Sequence, residues 1–201
     1  MNRRLILTCA LLLPALSLGA AKHELVETWI DLHRGPVQFR KLVVVAISAD
    51  REIRNRFEDK FVTRLRVRDY EAVTSHSMVS DLAVVENRQS LIDSIDEARI
   101  DGVISIRVAR LEGPDKEDAW SLSWNESLDS GTTLRTMIDE SLPRTGDEAS
   151  RLGVEVALWD TATQKCIWAG RTGTYKLKAL RKGAGDIVTV IIDELERAKL
   201  L

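Results

Sequence analysis

Cysteine is nearly absent: the 201 residues hold two, and Cys9 lies in an N-terminal stretch built like a removable leader. Cys166 is then left with no partner for an internal disulfide. It stands in an apolar, strand-like run, so it reads as core packing and not as a reactive thiol. Past the leader, no apolar run approaches the roughly 20 residues that a membrane-spanning helix requires. Basic charge is not in excess either. Lys and Arg number 29 against 31 Asp and Glu, a net of −2 that shedding Arg3 and Arg4 takes to about −4, which argues against nucleic acid as a partner. The familiar chemical signatures are missing as well. Ser48-Ala49-Asp50 is neither a Gly-rich dinucleotide turn nor a phosphate loop. No Gly-x-Ser-x-Gly elbow occurs, and His23, His33 and His76 lack the i, i+4 spacing of a helical metal site. A receiver-type domain would need an acidic residue at the end of its third strand, where Arg110 and Leu111 stand. The expectation is a non-enzyme without cofactor or metal.

Residues 1–21 read as a signal peptide: a basic start at Arg3-Arg4, an apolar stretch from Leu5 to Leu18, and the small residues Gly19-Ala20-Ala21 for cleavage. Thr8 is large for the position before a lipidated cysteine, so Cys9 is not read as an anchor. The expected location is the periplasm. Residues 22–201, roughly 180 in number, suit one domain with a sizeable core.

Lys41 to Ser48 anchors that domain. Leu42-Val43-Val44-Val45-Ala46-Ile47 is unbroken apolar sequence, β-branched in the middle, the pattern of a strand buried on both faces within a parallel sheet. Before it, residues 22–40 read as an extended lead-in, with Trp29 covering the core and Gly35-Pro36 breaking any helix. After it, Ser48 or Asp50 caps a helix to about Asp69, with Ile53, Phe57, Phe61 and Leu65 as its apolar stripe. Arg51, Arg54, Arg56, Glu58, Asp59, Lys60, Arg64 and Arg66 are assigned to its solvated face, with Asp59 and Arg56 a favourable pair. A short strand at Tyr70–Thr74, a helix over Asn87–Arg99 and an alternating strand from Gly102 complete a β-α-β-α-β parallel core. In that last strand Ile104, Ile106 and Val108 face inward, while Ser105 and Arg107 occupy the more tolerant face.

Residues 113–150 break this rhythm and form an inserted arm or loop. Trp120, Leu122 and Trp124 alternate with serines there, giving a strand-like apolar face. On a sheet edge such a face could meet another chain, so these three are the candidate partner surface, and edge pairing also offers a route to a homo-oligomer. Leu152–Asp160 and Lys165–Tyr175 then form an antiparallel hairpin, with Trp159 and Trp168 expected to cover the sheet end together. A last helix is expected to start at Gly183-Ala184-Gly185-Asp186. The predicted fold is therefore α/β, a three-layer mixed sheet whose parallel core is extended by a hairpin and a C-terminal helix. Ligands of open α/β sheets lie beyond the carboxyl ends of parallel strands, where this chain places Ser48, Asp50, Thr74, Ser75, His76 and Arg110. Ser48, Asp50 and His76 are the candidate cleft of a second reading, a periplasmic small-ligand binder.

Lys41 to Ser48, Arg56-Phe57-Glu58, Ala98-Arg99-Ile100-Asp101-Gly102-Val103-Ile104, Leu158-Trp159-Asp160 and Ile167-Trp168 carry a family likeness. With them the chain resembles small Gram-negative envelope proteins, many of them lipoproteins, classed as domains of unknown function. The scaffold is similar to the amino-terminal domain of the Tol-system propeller protein and to the curli secretion lipoprotein. The likeness spans about residues 29–199 outside the 113–150 arm. It implies binding of an envelope protein partner and supplies no catalytic residues.

Overall fold

A computed structural model describes residues 24–33, 35–48, 50–79, 85–111, 134 and 151–201. In chain order these give β1 (Leu25–Ile30), β2 (Lys41–Ile47), α1 (Arg51–Arg66), β3 (Glu71–Thr74), a 3-10 turn at Ser75–Ser77, α2 (Val85–Glu97), β4 (Gly102–Leu111), β5 (Arg151–Asp160), β6 (Lys165–Lys176) and α3 (Leu177–Arg197). One sheet runs β1-β6-β5-β4-β2-β3. The β2 strand lies between parallel neighbours β3 and β4, and the remaining pairings are antiparallel.

Leu42, Val43, Val44, Val45 and Ala46 are fully buried, because alternate side chains leave the strand on opposite faces and both faces are covered. Leu42, Val44 and Ala46 share one cluster with Phe57, Phe61 and Leu65 of α1 and with Ile187, Ile191 and Leu195 of α3. On the other face Val43, Val45 and Ile47 share a cluster with Leu91, Ile92 and Ile95 of α2 and with Leu134. At about 1.5–3 kcal/mol per large apolar side chain, the five of β2 contribute to this three-layer core on the same scale as the six that α3 buries.

Several local expectations give way. The lead-in is a true edge strand: β1 pairs with β6, and Trp29 packs, partly buried, on the α2 side. Glu58 and Arg54 are not on the solvated face of α1. They are 0 % and 7 % exposed, and over Glu58 it is the end of β2 and the turn after β3 that cover the helix. Arg56 pairs with Glu52 one turn earlier, at 3.0 Å, and not with Asp59. Trp159 and Trp168 do not share a face, because an irregularity between Leu158 and Trp159 sends Trp168 to the α1–α3 side and Trp159 to the other. The last helix begins six residues earlier than expected and runs through Gly183 and Gly185. Each helical glycine costs about 1 kcal/mol, which burial of Leu180, Ala184, Ile187 and Val188 on the same helix offsets.

The three helices among the described residues end alike. Asp69, Arg99 and Lys199 take left-handed backbone, with φ of 64°, 52° and 55°. The next amide in each case returns to a carbonyl five residues back: Tyr70 to Leu65 at 3.2 Å, Ile100 to Ile95 at 3.1 Å, Leu200 to Leu195 at 2.9 Å. This 6→1 closure satisfies a terminal carbonyl and brings two apolar side chains together over the helix end.

Candidate functional site

The carboxyl ends of β2 and β3 meet at a buried carboxylate. Helix α1 starts where Asp50 Oδ1 accepts the amides of Glu52 and Ile53, at 2.9 and 3.1 Å, and two turns later it delivers Glu58 under the strand ends. Glu58 Oε1 accepts from the Ala46 amide at 2.9 Å and from Ser75 Oγ at 2.6 Å. Its Oε2 accepts from the His76 amide at 3.1 Å and lies 2.9 Å from His76 Nδ1. A carboxylate only accepts, so the ring donates through Nδ1 and turns Nε2 toward Asp59 Oδ1, 3.4 Å away. Four donors from β2 and the 3-10 turn thus converge on one side chain of α1, and they satisfy a group that would be costly to bury alone.

This wiring differs from that of a hydrolytic triad. There an imidazole stands between hydroxyl and carboxylate and takes the hydroxyl proton. Here the carboxylate stands between Ser75 and His76, and Ser75 is 1 % exposed. What the arrangement does is fasten the end of β2 to the turn after β3.

The cleft residues expected from sequence fall into two hydrogen-bonded sets. His76 belongs to the Glu58 set, with its side chain 29 % exposed. Ser48 and Asp50 belong to the capping turn, where Ser48 Oγ accepts the Asp50 amide at 3.2 Å and Asp50 Oδ2 accepts from Arg181 of α3. Burial pulls the Asp50 carboxyl up, but the Arg181 hydrogen bond and the Ile53 and Glu52 amides outweigh it and hold the group below the usual aspartate value. Glu58 was the residue that sequence reasoning missed. The signal available was Ser75-His76 directly after a parallel strand, two polar groups that needed a buried acceptor.

A second charged set lies on the α2 side of the sheet. Register places Arg107 of β4 opposite Glu155 of β5, Glu155 opposite Arg171 of β6, and Arg171 opposite Glu27 of β1. Arg107 pairs with Glu155, and Arg171 lies 3.0 Å from Glu27. Glu155 is 2 % exposed, and its Oε1 has no hydrogen-bond partner among the described residues. Burial pushes its carboxyl above the ordinary value, against the pull of Arg107 and Arg171. On the same face Ser105 is buried and accepts Trp159 Nε1 at 2.8 Å. The Cys166 thiol is pushed up to about 12 by burial, well outside the range of a nucleophilic thiolate.

Among the described residues, no group of three or more His, Cys, Asp or Glu side chains is placed to hold a metal ion, and no helix is long and apolar enough to cross a membrane. Trp120, Leu122 and Trp124, the expected partner surface, lie outside the described residues. From the same arm Leu134 is described: it is 3 % exposed in the α2-side cluster, and its amide donates to Gln164 O at 3.2 Å.

No family model matches the chain, and no curated protein does. Among solved structures it is similar to the PelC dodecamer from Paraburkholderia phytofirmans and to a point variant of that dodecamer. Each is 14 % identical, with 82 % of this chain and 96 % of the other covered, and the TM-scores are 0.40 and 0.42. A likeness at this level establishes nothing about chemistry or assembly here.

Proposed function

We propose that this chain is a non-catalytic envelope protein, exported to the periplasm, that acts by binding a protein partner. The observation that carries the reading is the use to which the polar groups at the strand ends are put. Glu58 and Ser75 are sealed from solvent and spend their hydrogen bonds on each other, Ala46 and His76. Asp50 is spent on a helix cap and Arg181. Groups committed in this way stabilise a scaffold and leave recognition to surfaces elsewhere. The arm at 113–150, with Trp120, Leu122 and Trp124, is the first candidate, because aromatic side chains seated in a partner's pocket can each contribute about 2 kcal/mol or more.

The test is crosslinking in periplasm followed by purification of the wild type and of a Trp120→Ala, Trp124→Ala double variant. The expected result is one stoichiometric partner with the wild type and its loss with a variant that keeps its melting temperature. A variant that melts lower and still binds would assign these tryptophans to the core. A wild-type chain that captures no protein but retains a small molecule would favour ligand binding.

A further inference from the structure

The two edges of the sheet are treated differently. At β3 the Glu71 amide bonds inward to Arg40 O, so Ala72 and Thr74 turn their backbone groups outward. Both outward carbonyls are already occupied: Arg66 Nε donates to Ala72 O at 2.9 Å, and Ser77 Oγ donates to Thr74 O at 2.7 Å. This edge is four residues long and plugged by its own side chains, a standard defence against strand pairing.

At β1 no such plug is present among the described residues. The Asp31 amide bonds to Ile167 O, and Trp29 and Glu27 stand opposite Ala169 and Arg171, so the odd-numbered residues make the ladder with β6. Thr28 and Ile30 therefore present their amides and carbonyls to the outside. Beside them Val26 is 55 % exposed, one of three large exposed apolar residues among those described.

We propose that β1 is a self-association edge, on which β1 of a second copy pairs antiparallel about a two-fold axis at Thr28. The side chains select this occupant and this register. With Thr28 opposite its own copy, Val26 meets Ile30 and Trp29 meets Glu27, and each contact is made twice. Moving the axis one residue toward the N-terminus sets two Glu27 carboxylates opposite each other, a repulsive arrangement. Glu27 is already neutralised by Arg171 within its own chain, so the favoured register brings no unpaired charge to the seam. This inference does not rest on the partner-binding reading, since it concerns the chain alone.

Sedimentation of the purified chain tests it. The wild type should be a dimer and Thr28→Pro a monomer with an unchanged circular dichroism spectrum, because proline removes only an outward donor. A monomeric wild type, or a folded Thr28→Pro that stays dimeric, overturns the proposal. Should the proline variant fail to fold, Thr28→Cys decides, since residues opposed in a hydrogen-bonded antiparallel pair lie about 5.5 Å apart, within disulfide reach. Oxidation should crosslink that variant to itself in high yield; absence of the crosslink, or a crosslink at Val26→Cys instead, overturns the register.

Discussion

Glu58 accepts both the backbone amide and the ring of His76, at 3.1 and 2.9 Å, although eighteen positions separate them and the carboxylate is wholly buried. The pair joins the middle of α1 to the turn that ends β3, so the first crossover of the parallel unit is closed by a polar contact and not by apolar packing alone. Its stability should depend on every donor finding its acceptor.

Glu58→Gln tests this. An amide nitrogen in place of one oxygen faces donors, so at least one buried hydrogen bond is lost, at a cost of about 1–3 kcal/mol. Urea unfolding should show a lower midpoint at unchanged slope. An unchanged midpoint would mean that water replaces the missing acceptor and that the site is wetter than its burial indicates.

Glu155 should give the chain an inverse acid response. Its carboxyl is raised above the ordinary 4.5 by burial, so between 4.5 and its folded value the native state binds more proton than the unfolded chain. Stability from this group therefore falls as pH rises through that window. The stability of wild type relative to Glu155→Gln should increase on acidification toward pH 4.5 and level off below it. A difference that does not change with pH would place the titration elsewhere.

Arg99→Gly should stabilise the protein. Arg99 is exposed and left-handed at the end of α2, a conformation that costs a residue with a Cβ about 1–2 kcal/mol, and the greater freedom of glycine when unfolded returns part of the gain. A net rise of about 0.5–1 kcal/mol in unfolding free energy is expected. A loss would show that the Arg99 side chain makes a contact that outweighs its backbone strain.

Gly102→Ala should do the reverse. A Cβ there would stand 2.5 Å from Phe39 Cδ1 and 2.7 Å from Leu42 Cδ2, both in the core, and overpacking of this kind costs about 1–3 kcal/mol. Phe39→Leu in the same chain should recover part of the loss. A neutral Gly102→Ala would mean that Phe39 moves aside freely.

Each residue of the segment Arg99-Ile100-Asp101-Gly102 has its own structural role. Arg99 ends the helix, Ile100 closes over it, and Gly102 admits Phe39. Asp101 accepts the amides of Arg40 and Lys41, both at 2.9 Å, and so sets the start of β2 against β4. None of these roles could be read from the residues alone, since each depends on a neighbour about sixty positions away or on a backbone angle.

What the sequence by itself determined was periodicity. The unbroken run at Leu42–Ile47, the i, i+4 stripe of α1, the alternation in β4 and the hairpin at 151–176 all rest on apolar spacing, which is local and survives in the chain as written. What only the tertiary structure decided was pairing: that residues 25–30 join β6, that Glu58 turns inward to meet Ser75 and His76, that Arg107, Glu155, Arg171 and Glu27 form one row, and that the β3 edge has its outward carbonyls occupied by Arg66 and Ser77. Charges carry no periodic signature. Whether a Glu or an Arg is solvated or buried depends on which donor or acceptor the fold sets beside it, and in this chain those partners are distant in sequence and meet only once the sheet has assembled.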